Sequence, residues 1–153
     1  MNPNKIPSPT SFRHTTPIQL RFNDVDVLGH VNNTNYFTFY DTAKAHYFTD
    51  VKGERVDWKN VDTVIANVDC AYLAPIFFGE DIEVLTACES VSEKSFKLIQ
   101  LIRERNTGEI KSACESVLVA FDPETQTAKP LPEDWRTLLE KFENRSFPKP
   151  NHP

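Results

Sequence analysis

The sequence predicts an α+β fold in which an antiparallel sheet wraps one long helix, and three observations carry that prediction. From Thr34 to Asp50 the chain reads TNYFTFYDTAKAHYFTD, with Tyr36, Phe37, Phe39, Tyr40, Tyr47 and Phe48 spread around most of a helical wheel. Four later segments, at about 62–74, 80–91, 94–105 and 110–122, have strand composition and are joined by connections short enough to make neighbours antiparallel. Val64, Ala66, Val68, Cys70 and Tyr72 alternate onto one face, as do Phe96, Leu98 and Ile102, so one side of the sheet needs a cover. The aromatic helix supplies it.

Taken in order, the opening MNPNKIPSPTSFRHT is rich in Pro, Ser, Thr and Asn and reads as a flexible arm over 1–15. TTPIQLRF then alternates Ile18, Leu20 and Phe22 with polar neighbours, a half-buried strand that tolerates Pro17 near its start. A polar cluster follows, and Asn32, Asn33 or Thr34 is the N-cap of the aromatic helix, whose polar strip is Thr38, Asp41, Thr42 and Lys44. VKGERVDWKN is a polar connection to the strands. Pro75 and Gly79 mark the first turn between them, VSEK a hairpin, and Gly108 in RNTGE a turn that calls for positive φ. In PLPEDWRTLLEKFEN, Trp135, Leu138, Leu139 and Phe142 fall at i, i+3, i+4 and i+7, a short amphipathic helix. One domain over 16–145 results, with residues 146–153 a flexible tail.

Composition narrows the function. At 153 residues the chain has room for one core of ordinary size. A formal net charge of −5 argues against nucleic acid or anionic lipid as partner, and no apolar run is long enough to span a bilayer. Cys70, Cys88 and Cys114 are odd in number and contain no CxxC pair, which fits a reducing cytoplasm and neither a disulfide framework nor a zinc site. GxSxG, HExxH and GxxxxGK[ST] are all absent.

The remaining local concentration of chemistry is DVDVLGHVNNTNYF, from Asp24 to Phe37. As a calcium loop it fails: the fifth position is Leu28 and the twelfth is Asn35 where a glutamate is needed, so no metal is expected. Asp24 and Asp26 can be turn formers and the asparagines mere caps. The functional reading is that a carboxylate just before a helix faces backbone N–H groups and the positive end of the helix dipole. A carbonyl held by such an N–H becomes more electrophilic, and an aspartate beside it can attack it or deprotonate a water that does.

RFNDVDVLGHVNNTNYFTFYDTAK resembles the signature of the hotdog-fold acyl-CoA thioesterases, in the branch typified by 4-hydroxybenzoyl-CoA thioesterase. The likeness lies in the Asp-x-Asp-x-x-Gly-His-Val-Asn-Asn run, Tyr36, Asp41 and Lys44, and it extends through YLAPIFFGEDIEV and SEKSF to span most of 18–121. The resemblance implies a curved antiparallel sheet around a long central helix, homodimers or tetramers, no cofactor, and hydrolysis of an acyl-CoA to CoA and a carboxylic acid. It implies that Asp26 is the catalytic carboxylate, in preference to Asp24, and that the main chain at Asn33 offers the N–H that binds the carbonyl oxygen. Gly29 gives the tight turn, Tyr36 belongs with the substrate-binding residues, and His30 and Asn32 either line the pocket or fix the loop. Lys94 and Ser95 in SEKSF stand where relatives meet the CoA phosphates, although Glu93 beside Lys94 departs from a basic hairpin. A non-catalytic acyl-CoA-binding module and an acyl-ACP thioesterase are the alternatives; the second needs a basic landing patch that the net charge does not advertise.

Overall fold

The computed structural model describes residues 1–57, 59 and 61–149. Its strands are β1 (His14–Ile18), β2 (Thr63–Tyr72), β3 (Ile82–Val91), β4 (Ser95–Glu104), β5 (Ile110–Asp122) and the short β6 (Thr127–Ala128). Its helices are α1 (Asn35–Lys52) and α2 (Glu133–Glu143). The sheet runs β1-β3-β4-β5-β2 with every pairing antiparallel, and β6 adds to β5. Among the described residues no helix is long and apolar enough to cross a membrane.

α1 is the cover the alternation called for. Tyr36, Phe39, Tyr40, Ala43, Tyr47 and Val51 are all buried along it, and they meet Ile82, Val84, Ile102 and Cys114 at one end and Cys88, Phe96, Leu98 and Leu118 at the other. Two polar links pin the helix against the sheet, although Gln100 Oε1 is buried with no partner among the described residues. The Tyr40 hydroxyl donates to Ser112 Oγ (2.6 Å), which donates to the Ala71 carbonyl (2.9 Å), and Gln100 Nε2 donates to the Tyr40 carbonyl (3.1 Å). α1 stops at Gly53, whose φ of +73° lets its N–H return to the Thr49 carbonyl.

Five features depart from the sequence reading. The first strand is shorter than TTPIQLRF suggests, because the chain turns into a 3₁₀ turn at Phe22–Asp24. β2 carries a bulge between Ile65 and Asn67, so the alternation does not run unbroken: Val68, Cys70 and Tyr72 share the helix side with Ile65, and Val64 turns to the other face. Of the polar strip, Thr38, Asp41 and Thr42 are exposed, but Lys44 is buried at 5% exposure. Residues 1–15, read as a flexible arm, include two 3₁₀ turns and the start of β1, and Met1, Ile6 and Phe12 pack against Leu85, Leu101 and Ala113 on the face of the sheet away from α1. At the other end Phe147 is buried against the α2 cluster, and residues 150–153 of the expected tail lie outside the described residues.

α2 closes one end of the core. Trp135 and Leu139 are buried, and the Trp135 indole N–H donates to Asp62 (3.1 Å to Oδ2). Its last residue, Glu143, is also buried and accepts from the Tyr47 hydroxyl (2.5 Å) and from the Cys88 N–H (2.9 Å) through one oxygen. Burial, with the Glu143 charge beside it, drives the Tyr47 pKa upward, so the phenol stays a donor. Removing the acceptor strands two buried donors. Glu143→Leu is therefore expected to lower unfolding stability by about 2 kcal/mol, and Glu143→Gln, which keeps an acceptor oxygen, by less than half of that, as read from urea denaturation.

Candidate active site

The chain between β1 and α1 folds into a tight hairpin whose tip holds Asp26. Val25 and Val31 bridge antiparallel, the Asp26 N–H donates to the His30 carbonyl (3.2 Å), and the Gly29 N–H to the Asp26 carbonyl (3.0 Å). Gly29 has φ +85°, a conformation that costs a side-chain-bearing residue and that the turn requires. The two aspartates then divide by role. Asp24 is buried at 1% exposure, its Oδ2 accepting the Arg21 N–H (2.8 Å) and its carbonyl accepting from Asn32 N (2.9 Å) and Asn35 Nδ2 (3.0 Å). It is a structural residue. Asp26 is half-buried, its Oδ1 accepting the Leu28 N–H (2.9 Å) and its Oδ2 accepting Asn32 Nδ2 (3.0 Å).

Asn32 ties that carboxylate to the helix. Its Oδ1 accepts the Thr34 N–H (2.9 Å) and the Thr34 hydroxyl (2.6 Å), and its carbonyl accepts the Asn35 N–H (3.0 Å). Thr34 holds the N-cap position, yet its own side chain caps nothing; the capping oxygen comes from Asn32, two residues earlier. Of the two roles open to Asn32, the structure gives it loop fixing. The Asn33 N–H meets no acceptor among the described residues, and the Asn33 carbonyl accepts the Tyr72 hydroxyl (3.0 Å) from β2.

A cleft of about 370 Å³ opens here, lined by Asp26, Leu28, His30, Val31, Asn33, Tyr36, Tyr72, Leu73, Ala74 and Pro75. Tyr36 and Tyr72 meet edge to face with ring centroids 4.9 Å apart, and burial raises the pKa of both, so each presents a protonated hydroxyl. His30 lines the wall with Nδ1 3.3 Å from the Val31 carbonyl. Asp26, Gly29, His30, Asn32, Asn33 and Tyr36 thus lie together around the cleft and its hairpin. Lys94 and Ser95 are not. They belong to the β3–β4 hairpin, where Ser95 pairs with Val119 and Val119 with Val64, eight positions along β2 from Tyr72 and roughly 25 Å away at strand rise. Among the described residues no three His, Cys, Asp or Glu side chains group as metal ligands would.

A family model described as the thioesterase-like superfamily matches residues 20–142. Among curated proteins, the long-chain acyl-CoA thioesterase FadM of Escherichia coli (strain K12) is 26% identical over 130 residues, covering 83% of this chain and 97% of FadM. The uncharacterized protein YsmA of Bacillus subtilis (strain 168) is 27% identical over 89 residues, 58% of this chain and 60% of YsmA. Among solved structures, a Thermus thermophilus thioesterase complexed with coenzyme A and Zn superposes with a TM-score of 0.79 at 28% identity, covering 90% of this chain and 98% of that one. A predicted thioesterase from Bacillus stearothermophilus gives 0.76 at 25% identity over 90% and 98%. The curved antiparallel sheet around α1 is the hotdog fold.

The residue that sequence reasoning missed is Lys111, at the start of β5. Its carbonyl accepts from Leu73 N (2.9 Å) and Ala74 N (3.1 Å), and its ammonium donates to the Pro75 carbonyl (3.1 Å), Glu80 Oε2 (2.9 Å) and Glu109 Oε1 (2.5 Å). Glu80 in turn accepts the Phe77 N–H (2.6 Å), and the Ile76 carbonyl accepts the Val31 N–H (2.8 Å), so one lysine fixes both the 73–80 wall and its seam to the Asp26 hairpin. Nothing in the spacing of β5 marks it, because Pro75 and Glu80 are distant in sequence. Lys111→Met is expected to speed amide exchange at Val31 and Phe77 by tenfold or more while β4 amides keep their protection; equal protection of Val31 in both proteins would remove Lys111 from this role.

Proposed function

Since this chain belongs to the thioesterase-like superfamily, and is a hydrolase of thioesters, we propose that Asp26 and the start of α1 together cleave an acyl-CoA to CoA and a carboxylic acid. The observation that carries this is the link through Asn32, which holds a carboxylate beside the first N–H groups of a helix. The thioester oxygen lies on the Asn33 N–H, where the helix dipole favours negative charge. Both Asp26 oxygens already accept hydrogen bonds, which fixes their direction, and in this proposal the carboxylate acts as general base. It takes a proton from water as that water attacks the carbonyl carbon. The tetrahedral intermediate expels the CoA thiolate, and Asp26 returns the proton to it.

The CoA carrier is supported by the coenzyme A bound in the Thermus thermophilus relative and by the acyl-CoA activity in the name of FadM. The working unit in this proposal is a homodimer. β2 is an edge strand with Val64, Ile65, Val68 and Tyr72 exposed, the kind of edge that pairs with a second copy. Antiparallel pairing of two β2 edges would set the Val64 end of one against the Tyr72 end of the other. The partner subunit's Lys94 and Ser95 would then approach the Asp26 cleft, accounting for their distance from it within one chain. A reducing, cytoplasmic setting completes the proposal, in keeping with three free cysteines.

Asp26→Asn cannot accept the proton and retains an acceptor for only one of Leu28 N–H and Asn32 Nδ2, and kcat for thiol release is expected to fall by about 10²–10⁴-fold while thermal unfolding stays a single cooperative transition. Matched acyl-CoA and acyl-ACP substrates run side by side identify the carrier, and release from neither would leave a binding module. Val68→Lys, which sets a charge in the β2 seam, is expected to give a monomer by light scattering and to lose turnover; a fully active monomer would overturn the shared site.

A further inference from the structure

A second cavity, of about 500 Å³, lies along the other half of α1, walled by Ala45, Phe48, Ile65, Leu118 and Trp135. Lys44 lines it, and its ammonium is the unusual element. The side chain is 6% exposed, and among the described residues its one carboxylate contact is Asp41 Oδ1 at 3.3 Å, from a side chain that is itself 64% exposed. An ammonium carries three donors, and burying it is costly unless they are used. Of the other charged groups that line it, Asp62 accepts from the Trp135 indole N–H and Lys52 lies over the Trp135 ring at 4.4 Å, and Glu54, Arg55 and Asp57 complete the charged lining. A buried cation with spare donors, at the edge of an apolar space, calls for an acceptor carried on an apolar body.

We propose that this cavity binds an amphipathic carboxylate, with its chain or ring against Phe48, Leu118 and Trp135 and its carboxylate on Lys44 Nζ. The site shares no lining residue with the Asp26 cleft of the same chain; binding of a free acid does not depend on the mechanism proposed there, whereas a thioester source rests on it. Two sources offer this chemistry: a free carboxylic acid, or the far carboxylate of a dicarboxylic acyl thioester.

The test is calorimetric titration of the full chain with octanoate and, as a matched uncharged probe, 1-octanol. Wild type is expected to prefer octanoate by at least tenfold, Asp26→Asn to keep that preference, and Lys44→Met to reduce it below twofold. Equal binding of acid and alcohol to wild type, or a preference that survives in Lys44→Met, would overturn the proposal. Should Lys44→Met fail to fold, Ala45→Phe carries the test: it fills the space and leaves the ammonium, so octanoate binding must vanish, and persistence would be equally fatal. Octanedioyl-CoA and octanoyl-CoA titrated into Asp26→Asn separate the sources, tighter binding of the former assigning the carboxylate to a substrate's far end and equal binding assigning it to a free acid.

Discussion

The geometry of the cleft depends on a single carboxamide. Asn32 donates to Asp26, accepts from Thr34 twice through its side chain, and holds Asn35 through its carbonyl, so a hairpin tip and an 18-residue helix become one rigid unit. Neither half would hold this arrangement alone. A carboxylate on a loop wanders, and a helix N-terminus without a capping oxygen leaves its first donors to water. Asn is suited to the post because one side chain offers both a donor for the carboxylate and an acceptor for the helix; Asp would repel Asp26, and Ser could not reach both.

The rest of the fold serves to keep that unit where it is. α1 is gripped along its length by aromatic packing, and the polar contacts within the core, from Tyr40 to Ser112 and from Gln100 to the Tyr40 carbonyl, fix its register in a way that greasy contacts alone do not. At its far end Tyr47 is tied to Glu143 of α2. At its near end the Asp24 carbonyl takes two asparagines, and the Lys111 network supports the opposing wall. Polar groups of this kind favour one arrangement over its near neighbours more than they add to total stability.

Local pattern made the elements legible. β5 falls on the residues its composition marks, and α1 and α2 lie within two or three residues of their helical periodicity. The pairing of Asp26 with the helix start was legible too, because all of it lies within one short stretch. What escaped reading depends on chain segments that meet only after folding. The β2 bulge is invisible in a run of apolar residues, and it reversed the face of Val64. Lys44 carries a surface residue's letter, yet in the folded chain it is buried, at the wall of a cavity that Trp135 of α2 also lines. The Lys111 ammonium has partners two to thirty-six positions away, and the separation of Lys94 from Asp26 follows from strand order.

The hydroxyl of Tyr72 gives the edge strand a grip on the chemistry. Tyr72 ends β2, the outermost strand, while its hydroxyl bonds the Asn33 carbonyl and its ring lies against Tyr36. Anything that stiffens or displaces that strand is therefore felt at the first turn of α1, and by thermodynamic linkage anything that orders the first turn must stiffen the strand in equal measure. The border of the sheet and the first turn of α1 form a single mechanical joint, so the rigidity of one and the alignment of the other are not independent quantities.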